Sequence, residues 1–320
     1  MRILVTGAAG FIGSHVVDAY VAAEHDVVGI DNFATGSPEN LNPAARFHEA
    51  DICNLEKLTA ILAEERPEVV NHHAAQVNIR VSVAQPMYDT EVNVVGTVSV
   101  LEASVRAGVR KVIFISSGGA VYGEASAVPT SEDAQPRPIS HYGAAKLAGE
   151  HYCYVYHATK GLTYTVLRYA NVYGPRQNPE GEAGVTAVFA RQILEGKRPV
   201  IFGDGTKTRD YVHVSDVAAM NLLVLERGDL ETFNVGTERA VSDREVFDAV
   251  ARVLGYTEEP DFGDFRPGEV MHSTLDCRKA RDLLGWNARV RLEEGVVGVV
   301  EYQRRQLERI GQTGKRPLSE

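Results

Sequence analysis

Cysteine is scarce in this chain of 320 residues, and the three present, Cys53, Cys153 and Cys277, lie far apart. An odd, widely spaced set supports neither a disulfide framework nor a zinc site. No metal is therefore expected, and a reducing cytoplasm is the default compartment. Blocks of lysine or arginine are missing as well. The formal net charge is −10, and a chain without a basic face is not expected to bind nucleic acid. Isolated arginines can still hold an anionic substrate inside an acidic protein. No apolar run reaches the length of a membrane span, so no membrane partner is expected, and the first residues enter a strand with no signal-peptide pattern. Low-complexity tracts and internal repeats are also absent. What is present is 44% hydrophobic residues, enough for one large core or two adjoining ones.

Strand-like and helical runs alternate from the start. Arg2 to Thr6, Asp26 to Ile30, Val69 to His72 and Lys111 to Ile115 read as strands. Phe11 to Ala23, Leu55 to Glu65 and Val92 to Ala107 read as helices. Repeated β-α-β order predicts an α/β fold with a doubly wound parallel sheet. The pattern loosens after about Arg168. Asn171 to Gly184, rich in Pro, Gly, Asn and charge, predicts a long loop and a domain crossing. Further helices are expected near Val185 to Glu195 and Ser215 to Glu226, with a strand at Thr232 to Val235 between later segments. Gly311 to Glu320 is polar and expected to fray.

The first strand runs into Thr6-Gly7-Ala8-Ala9-Gly10-Phe11-Ile12-Gly13. Glycines at this spacing permit a tight turn and let backbone N–H groups approach a pyrophosphate at the helix N-terminus. Gly7, Gly10, Phe11, Ile12 and Gly13 are therefore candidate dinucleotide contacts. Asp31 ends the second strand, where a carboxylate accepts hydrogen bonds from ribose hydroxyls. It would repel a 2′-phosphate, and the following Asn32 to Ser37 offers no arginine, so NAD is favoured over NADP. Asn32, Asp51 and Ile52 are expected on the adenosine side.

A second constellation stands downstream. Tyr142-Gly143-Ala144-Ala145-Lys146 opens a helix expected to continue through Tyr156, and a spacing of four puts phenol and ammonium on one face. Tyrosine titrates near pH 10, about three units too high for a good base at neutral pH. A neighbouring cation is expected to lower that value, so that the phenol can take a hydroxyl proton while hydride leaves the same carbon. Ser116-Ser117-Gly118-Gly119-Ala120-Val121-Tyr122-Gly123 follows the strand at Lys111 to Ile115. Hydroxyls stand at its carboxyl end, where open α/β sheets place ligand chemistry, and no carboxylate stands among them. The adjacent His72 and His73 do not form a metal pair, because neighbouring strand residues face opposite sides.

These pieces together carry a resemblance. With "DN" at 31–32, "ADI" at 50–52, "HHAAQ" at 72–76, "VNVVGT" at 92–97, "RYANVYGPR" at 168–176, "RDYVHVSDVA" at 209–218 and "RPGEV" at 266–270, the chain resembles extended short-chain dehydrogenases/reductases of the UDP-glucose (UDP-galactose) 4-epimerase branch. The motifs span most of the chain in the family's order. The resemblance implies a Rossmann-type NAD-binding domain over 1–170 plus about 212–236. It implies a smaller C-terminal α/β domain for the UDP-sugar over about 171–211 and 237–320. It also implies a homodimer paired through the helix at Val92–Ala107 and the helix beginning near Tyr142, and a place in galactose metabolism.

Carried over residue by residue, Tyr142 becomes the acid/base, and Lys146 binds the nicotinamide ribose and tunes the tyrosine. Many members have a serine where this chain has Gly118. Ser117 is then the hydroxyl bridging the sugar and the tyrosine, with Ser116 in reserve and beside the cofactor. Ala74, Ala75, Gln76 and Ala170 are expected to line the cofactor groove, and Asn93 to reach it through its amide or else to cap locally. Asn171, Phe202, Arg209, Arg266 and Glu269 match UDP-sugar contacts. Related dehydratases carry an Asp-Glu pair in the strand-end segment and decarboxylases a Glu just before Val-Tyr-Gly, whereas Gly119-Ala120 stand here. The implied reaction is oxidation at C4, rotation of the 4-keto sugar and reduction on its other face. UDP-glucuronate 4-epimerisation is the enzymatic alternative, disfavoured by the amides Asn171 and Asn178. A non-catalytic NAD-binding sensor or scaffold is the other. The family's gate position falls on Ser273, or on His272 if the loop shifts by one residue, and a serine there is expected to admit N-acetylated sugars.

Overall fold

The structure, a computed structural model, describes residues 1–180, 184–265 and 270–313. The first half builds a layered sheet from β1 (Arg2–Thr6), α1 (Phe11–Ala22), β2 (Asp26–Asp31), β3 (Arg46–Glu49), α2 (Leu55–Glu65) and β4 (Val69–His72). Short helices α3 (Ile79–Ala84) and α4 (Pro86–Thr90) lead through a π turn at Glu91–Val95 into α5 (Gly96–Arg106). Then come β5 (Lys111–Ser117), the single turn α6 (Gly118–Val121), α7 (His141–Lys160), β6 (Thr163–Tyr169) and β7 (Asn171–Tyr173). The remainder comprises α8 (Val185–Leu194), β8 (Val200–Phe202), β9 (Thr208–His213), α9 (Val214–Leu223), β10 (Glu231–Val235), β11 (Ala240–Ser242), α10 (Asp243–Leu254), β12 (Asp261–Gly263), β13 (His272–Ser273), α11 (Arg278–Leu284) and α12 (Leu292–Thr313).

Seven strands form one sheet in the order β10-β6-β5-β4-β1-β2-β3, every pair parallel. Helices cover both faces, so the strands carry apolar side chains toward both. Ile3 and Val5 enter one buried cluster with Val16, Val17 and Tyr20 of α1. Leu4, between them, enters the other with Leu58 and Leu62 of α2 and Val100 and Leu101 of α5. That alternation is the pleat of a strand buried on both sides. Strand order reverses between β1 and β4, and the crevice at their carboxyl ends is where such sheets bind ligands.

A third cluster joins α8, α10 and α12 through Phe189, Val246, Phe247, Val250, Val296 and Val299. Beside it, β7, β9, β11 and β13 form a small mixed sheet, and β8 pairs with β12. The chain does not stay on that side to its end. Leu275, Cys277, Ala280, Leu284 and Trp286 pack back into the cluster beneath the large sheet.

Several boundaries differ from the sequence reading. The strand expected to stop at Ile115 continues through Ser117, because Ser116 and Ser117 pair with Arg168 and Tyr169 of β6. The helix expected over Val92–Ala107 opens as a π turn that holds Asn93; such bulges recur at functional sites. The long loop after Asn171 begins as a strand, β7 pairing with β9. α7 runs on to Lys160 and ends at Gly161 in the left-handed conformation, φ 73°. Helix α12 continues to Thr313, and the rest of the expected frayed tail lies outside the described residues.

Candidate active site

The dinucleotide turn is shaped by close approach. Gly7 has φ +70°, and a Cβ there would stand 2.7 Å from the Ala74 nitrogen. At Gly13 a Cβ would lie 2.1 Å from the Gly7 carbonyl oxygen. Gly10 at the N-cap of α1 has no side chain to cap the first turn, so N–H groups there, at Phe11 and Ile12, are left to meet an anion. These residues therefore fit a pyrophosphate. Asp31 holds the turn itself: its carboxylate accepts from the N–H of Ala9 at 2.9 Å and of Phe33 at 2.8 Å. Burial pushes its pKa up against those bonds. Asn32 donates to Asp51 at 2.9 Å, which ties the ends of β2 and β3. Ile52 is buried under Gly96, where a Cβ would come within 2.7 Å of its Cδ1.

The wall across the groove is Ala74 to Gln76, held from behind. Asn93 accepts from the Gln76 N–H at 3.0 Å and donates to the Gln76 carbonyl at 2.9 Å. Its amide is thus engaged by the wall and by Asp89, to which it donates at 3.0 Å, the local role given as the alternative. His72 links the wall to the nucleotide turn. The Ala74 N–H donates to Thr6 Oγ1, which lies 2.7 Å from His72 Nδ1. His72 Nε2 lies 3.1 Å from Thr97 Oγ1, and that hydroxyl donates to the Asn93 carbonyl. Since the Thr97 hydrogen is used, His72 must carry its proton on Nε2 and accept from Thr6 on Nδ1. Burial and the Lys146 charge keep the ring neutral. Among the described residues no cluster of His, Cys, Asp or Glu could hold a metal ion.

At the strand end, Ser117 stands close enough to the Tyr142 phenol to draw its pKa down. Lys146 donates to the Ile115 carbonyl at 3.0 Å, and its ammonium stands 5.9 Å from the Tyr142 ring centre. One of three ammonium protons is committed there, which leaves donors for the hydroxyls of a ribose. Burial pushes Tyr142 up to about 12, opposed by Ser117 and reinforced by Asp89. The lowering expected from a neighbouring cation is therefore opposed by burial, and an oxidised nicotinamide, when bound, would bring a second positive charge to the phenol. Lys146 itself is brought down to about 8 by burial, with Asp89 and Glu150 opposing.

Ser116 does not face the groove. Its hydroxyl donates to Glu150 at 2.5 Å, and Glu150 also accepts from Arg168 Nε at 2.9 Å. Arg168 continues to the Tyr122 hydroxyl and Tyr122 to Asn234, each at 2.8 Å. The reserve role given to Ser116, and its place beside the cofactor, give way to this buried network. Gly118 has its own reason: a Cβ there would meet Leu275 Cδ1 at 2.6 Å. Leucine fills the space that a third serine needs.

On the substrate side, Asn171 points its Oδ1 toward Gly119, 3.5 Å from where a Cβ would sit. Ala170 binds the Val235 carbonyl through its N–H at 2.9 Å and is half-buried beside the crevice. Arg209 donates through Nη1 to the carbonyls of Thr208 and Met271. Ser273 of β13 pairs with Arg209 and is half-buried, while His272 is exposed and bonded to Thr208. Phe202 ends β8 beside Gly263. Arg266 and Glu269 lie outside the described residues.

Sequence reasoning missed Asp89, Glu150 and Asp210. Glu150 carried a signal, standing four residues after Lys146 on the same helix face. Asp210 is buried and gathers the N–H groups of Thr237, Glu238 and Leu275, which ties the 237–238 turn to β9; the motif at 209–218 contains it, but nothing in that pattern marks this role.

A serine at a strand end, a tyrosine and lysine one helical turn apart, and a glycine turn at the end of a reversing parallel sheet are the pattern of the NAD-using short-chain dehydrogenase/reductase class. The family model for the NAD dependent epimerase/dehydratase family matches residues 3–236, and the chain belongs to that family. It is 48% identical over 310 residues to a UDP-glucose 4-epimerase of Mycolicibacterium smegmatis, covering 95% of this chain and 99% of that one. The crystal structure of the Thermotoga maritima UDP-glucose 4-epimerase with UDP-glucose superposes with a TM-score of 0.94 at 48% identity, covering 96% of this chain and all of that one (100%). A UDP-N-acetylglucosamine 4-epimerase from Methanobrevibacter ruminantium, solved with UDP-N-acetylmuramic acid, reaches 0.90 at 33% identity, covering 95% and 98%.

Proposed function

We propose that this chain inverts C4 of a UDP-hexose, interconverting UDP-glucose and UDP-galactose with NAD. The observation that carries this reading is the Ser117–Tyr142–Lys146 group at a strand end that brings no carboxylate. NAD, when bound, supplies hydride acceptance from C4 and hydride return. Tyr142 takes the proton of the C4 hydroxyl and later gives it back to the ketone oxygen, with Ser117 bridging the sugar oxygen and the phenol. Lys146 orients the ribose and favours the phenolate. Gly118, Gly119 and Ala120 offer no base to take a proton from a neighbouring carbon, so the 4-keto sugar is reduced again after turning over. Asn171 and Arg209 contact the UDP-sugar, the arginine holding the diphosphate through charge-assisted bonds; Arg266 and Glu269, expected at the diphosphate and at the ribose hydroxyls, lie outside the described residues. Residues 1–170 with about 212–236 serve the NAD, and about 171–211 with 237–320 serve the UDP-sugar, the 275–286 segment closing back onto the NAD side. Incubation with UDP-galactose, with and without added NAD, is expected to yield UDP-glucose; no conversion in either case removes the proposal.

Substrate range follows from Ser273. The exposure of His272 and its bond to Thr208 favour Ser273 as the residue at the gate. A serine leaves room for an acetamido group, and activity is expected on UDP-N-acetylglucosamine as well. Ser273→Tyr should lose that activity by at least tenfold while keeping UDP-galactose turnover. Equal loss on both sugars would show that Ser273 is not the gate.

Assembly as a homodimer is supported by an apolar face. Val83, Met87 and Val95 of the α3–α5 segment and Tyr152, Tyr154 and Val155 of α7 are all exposed, Met87 by 81%. Large apolar side chains left exposed on neighbouring helices are what an association surface offers. Light scattering at micromolar concentration should give twice the monomer mass, and a monomer alone would reject the pairing.

A further inference from the structure

Asp89, in the short helix α4, is 0% exposed. Its Oδ1 accepts from Gln76 Nε2 at 2.8 Å and from Asn93 Nδ2 at 3.0 Å. Oδ2 is buried with no hydrogen-bond partner among the described residues. A buried carboxylate with one bare oxygen is costly unless a cation stands near. Helix α7 packs against α4, and its charged groups that act on Asp89 are His141 and Lys146. Around Lys146 the other charges are accounted for. Glu150 is already paired with Arg168 and bonded to Ser116, while His72 and His73 are held neutral by burial and by the lysine itself. Among carboxylates Asp89 acts on Lys146 ahead of Glu150.

We infer that Asp89 is a positioning residue for the reaction: one oxygen fixes the Gln76–Asn93 wall of the cofactor groove, and its charge keeps Lys146 an ammonium behind Tyr142. This rests on the epimerase reading. The carboxylate does not touch the reacting atoms. It acts through the lysine, whose proton is otherwise supported against burial by Glu150 and the Ile115 carbonyl. Its charge also opposes ionisation of Tyr142, so removing it should move both limbs of the pH profile the same way.

The test is Asp89→Asn, which keeps an acceptor for Gln76 and Asn93 and deletes the charge. With less opposition to burial, Lys146 loses its proton at lower pH than its present value of about 8. The alkaline limb of kcat should shift down by roughly one pH unit, one unit being about 1.4 kcal/mol of lost charge interaction. Because loss of the same charge also eases ionisation of Tyr142, kcat at pH 6.5 should hold or rise, while the ratio of kcat at pH 8 to kcat at pH 6.5 falls several-fold, with NAD affinity near wild type. Asp89→Ser, smaller and also uncharged, should shift the profile in the same direction. A profile that stays in place in a folded variant overturns the inference, as does failure of both variants to fold, which would assign Asp89 a purely structural role. Wild-type turnover of UDP-galactose, measured alongside, separates failure of this inference from failure of the epimerase reading.

Discussion

Replacing Tyr142 by phenylalanine lowers turnover by a factor on the order of 10² or more while NAD and UDP titrate as they do on the wild type. The phenyl ring fills the same space, so the α7 N-terminus, capped by Ser140 through the Gly143 N–H at 3.1 Å, has no reason to move. Only the hydroxyl is lost, and with it the group that takes the C4 proton. A hundredfold loss corresponds to about 2.7 kcal/mol of transition-state stabilisation. Ser117 and Lys146 remain, but Ser117 loses its partner and cannot serve as a base at neutral pH by itself. The structure sharpens the expectation, since burial pushes the phenol up to about 12. Whatever lowers it during the reaction must come from positive charge brought close to the ring. Turnover by Tyr142→Phe within a few-fold of wild type would remove the tyrosine from the mechanism.

The main architecture was legible because its signals are local. Continuous apolar strands at Ile3–Val5 and Val112–Ile115, a glycine turn between strand and helix, and a tyrosine and lysine four apart each report on a few neighbouring residues. What was not legible depends on contacts far along the chain. Gly118 is a departure from the family's serine in sequence, and only the return of Leu275 to the large sheet explains it. Asn93 was placed near the groove by its motif. Its amide braces Gln76 from within a π turn, an element that a helical pattern does not show. Ser116 and Ser117 are alike as neighbours; Glu150 and Arg168, from two other elements, claim the first and leave the second. β6 escaped notice because Thr163-Tyr164-Thr165 looks polar, although Thr165 is buried and bonds the Gly228 carbonyl at 2.6 Å.

The other large effect is expected from Gly13→Ala. Helix α1 crosses the end of β1 so closely that a Cβ at residue 13 would stand 2.1 Å from the Gly7 oxygen and 2.9 Å from the Gly7 carbon. Both atoms are backbone, so no rotamer relieves the clash, and α1 must retreat from the turn. Retreat carries away the first-turn N–H groups that would meet the pyrophosphate. It also strains the bond from the Ala9 N–H to Asp31, which couples the phosphate end of the groove to the ribose end. Affinity for NAD should fall by a factor on the order of 10² or more, a loss of about 2.7 kcal/mol, and the melting temperature should drop as well. Gly10→Ala is the graded control. Its Cβ would come only to 3.2 Å from the same oxygen, a contact that shifts of a few tenths of an ångström accommodate, so NAD affinity should fall much less. Titration of NAD into both purified variants, with melting curves beside them, decides the matter. If Gly13→Ala binds NAD as tightly as Gly10→Ala does, close approach of helix to turn is not what this glycine provides.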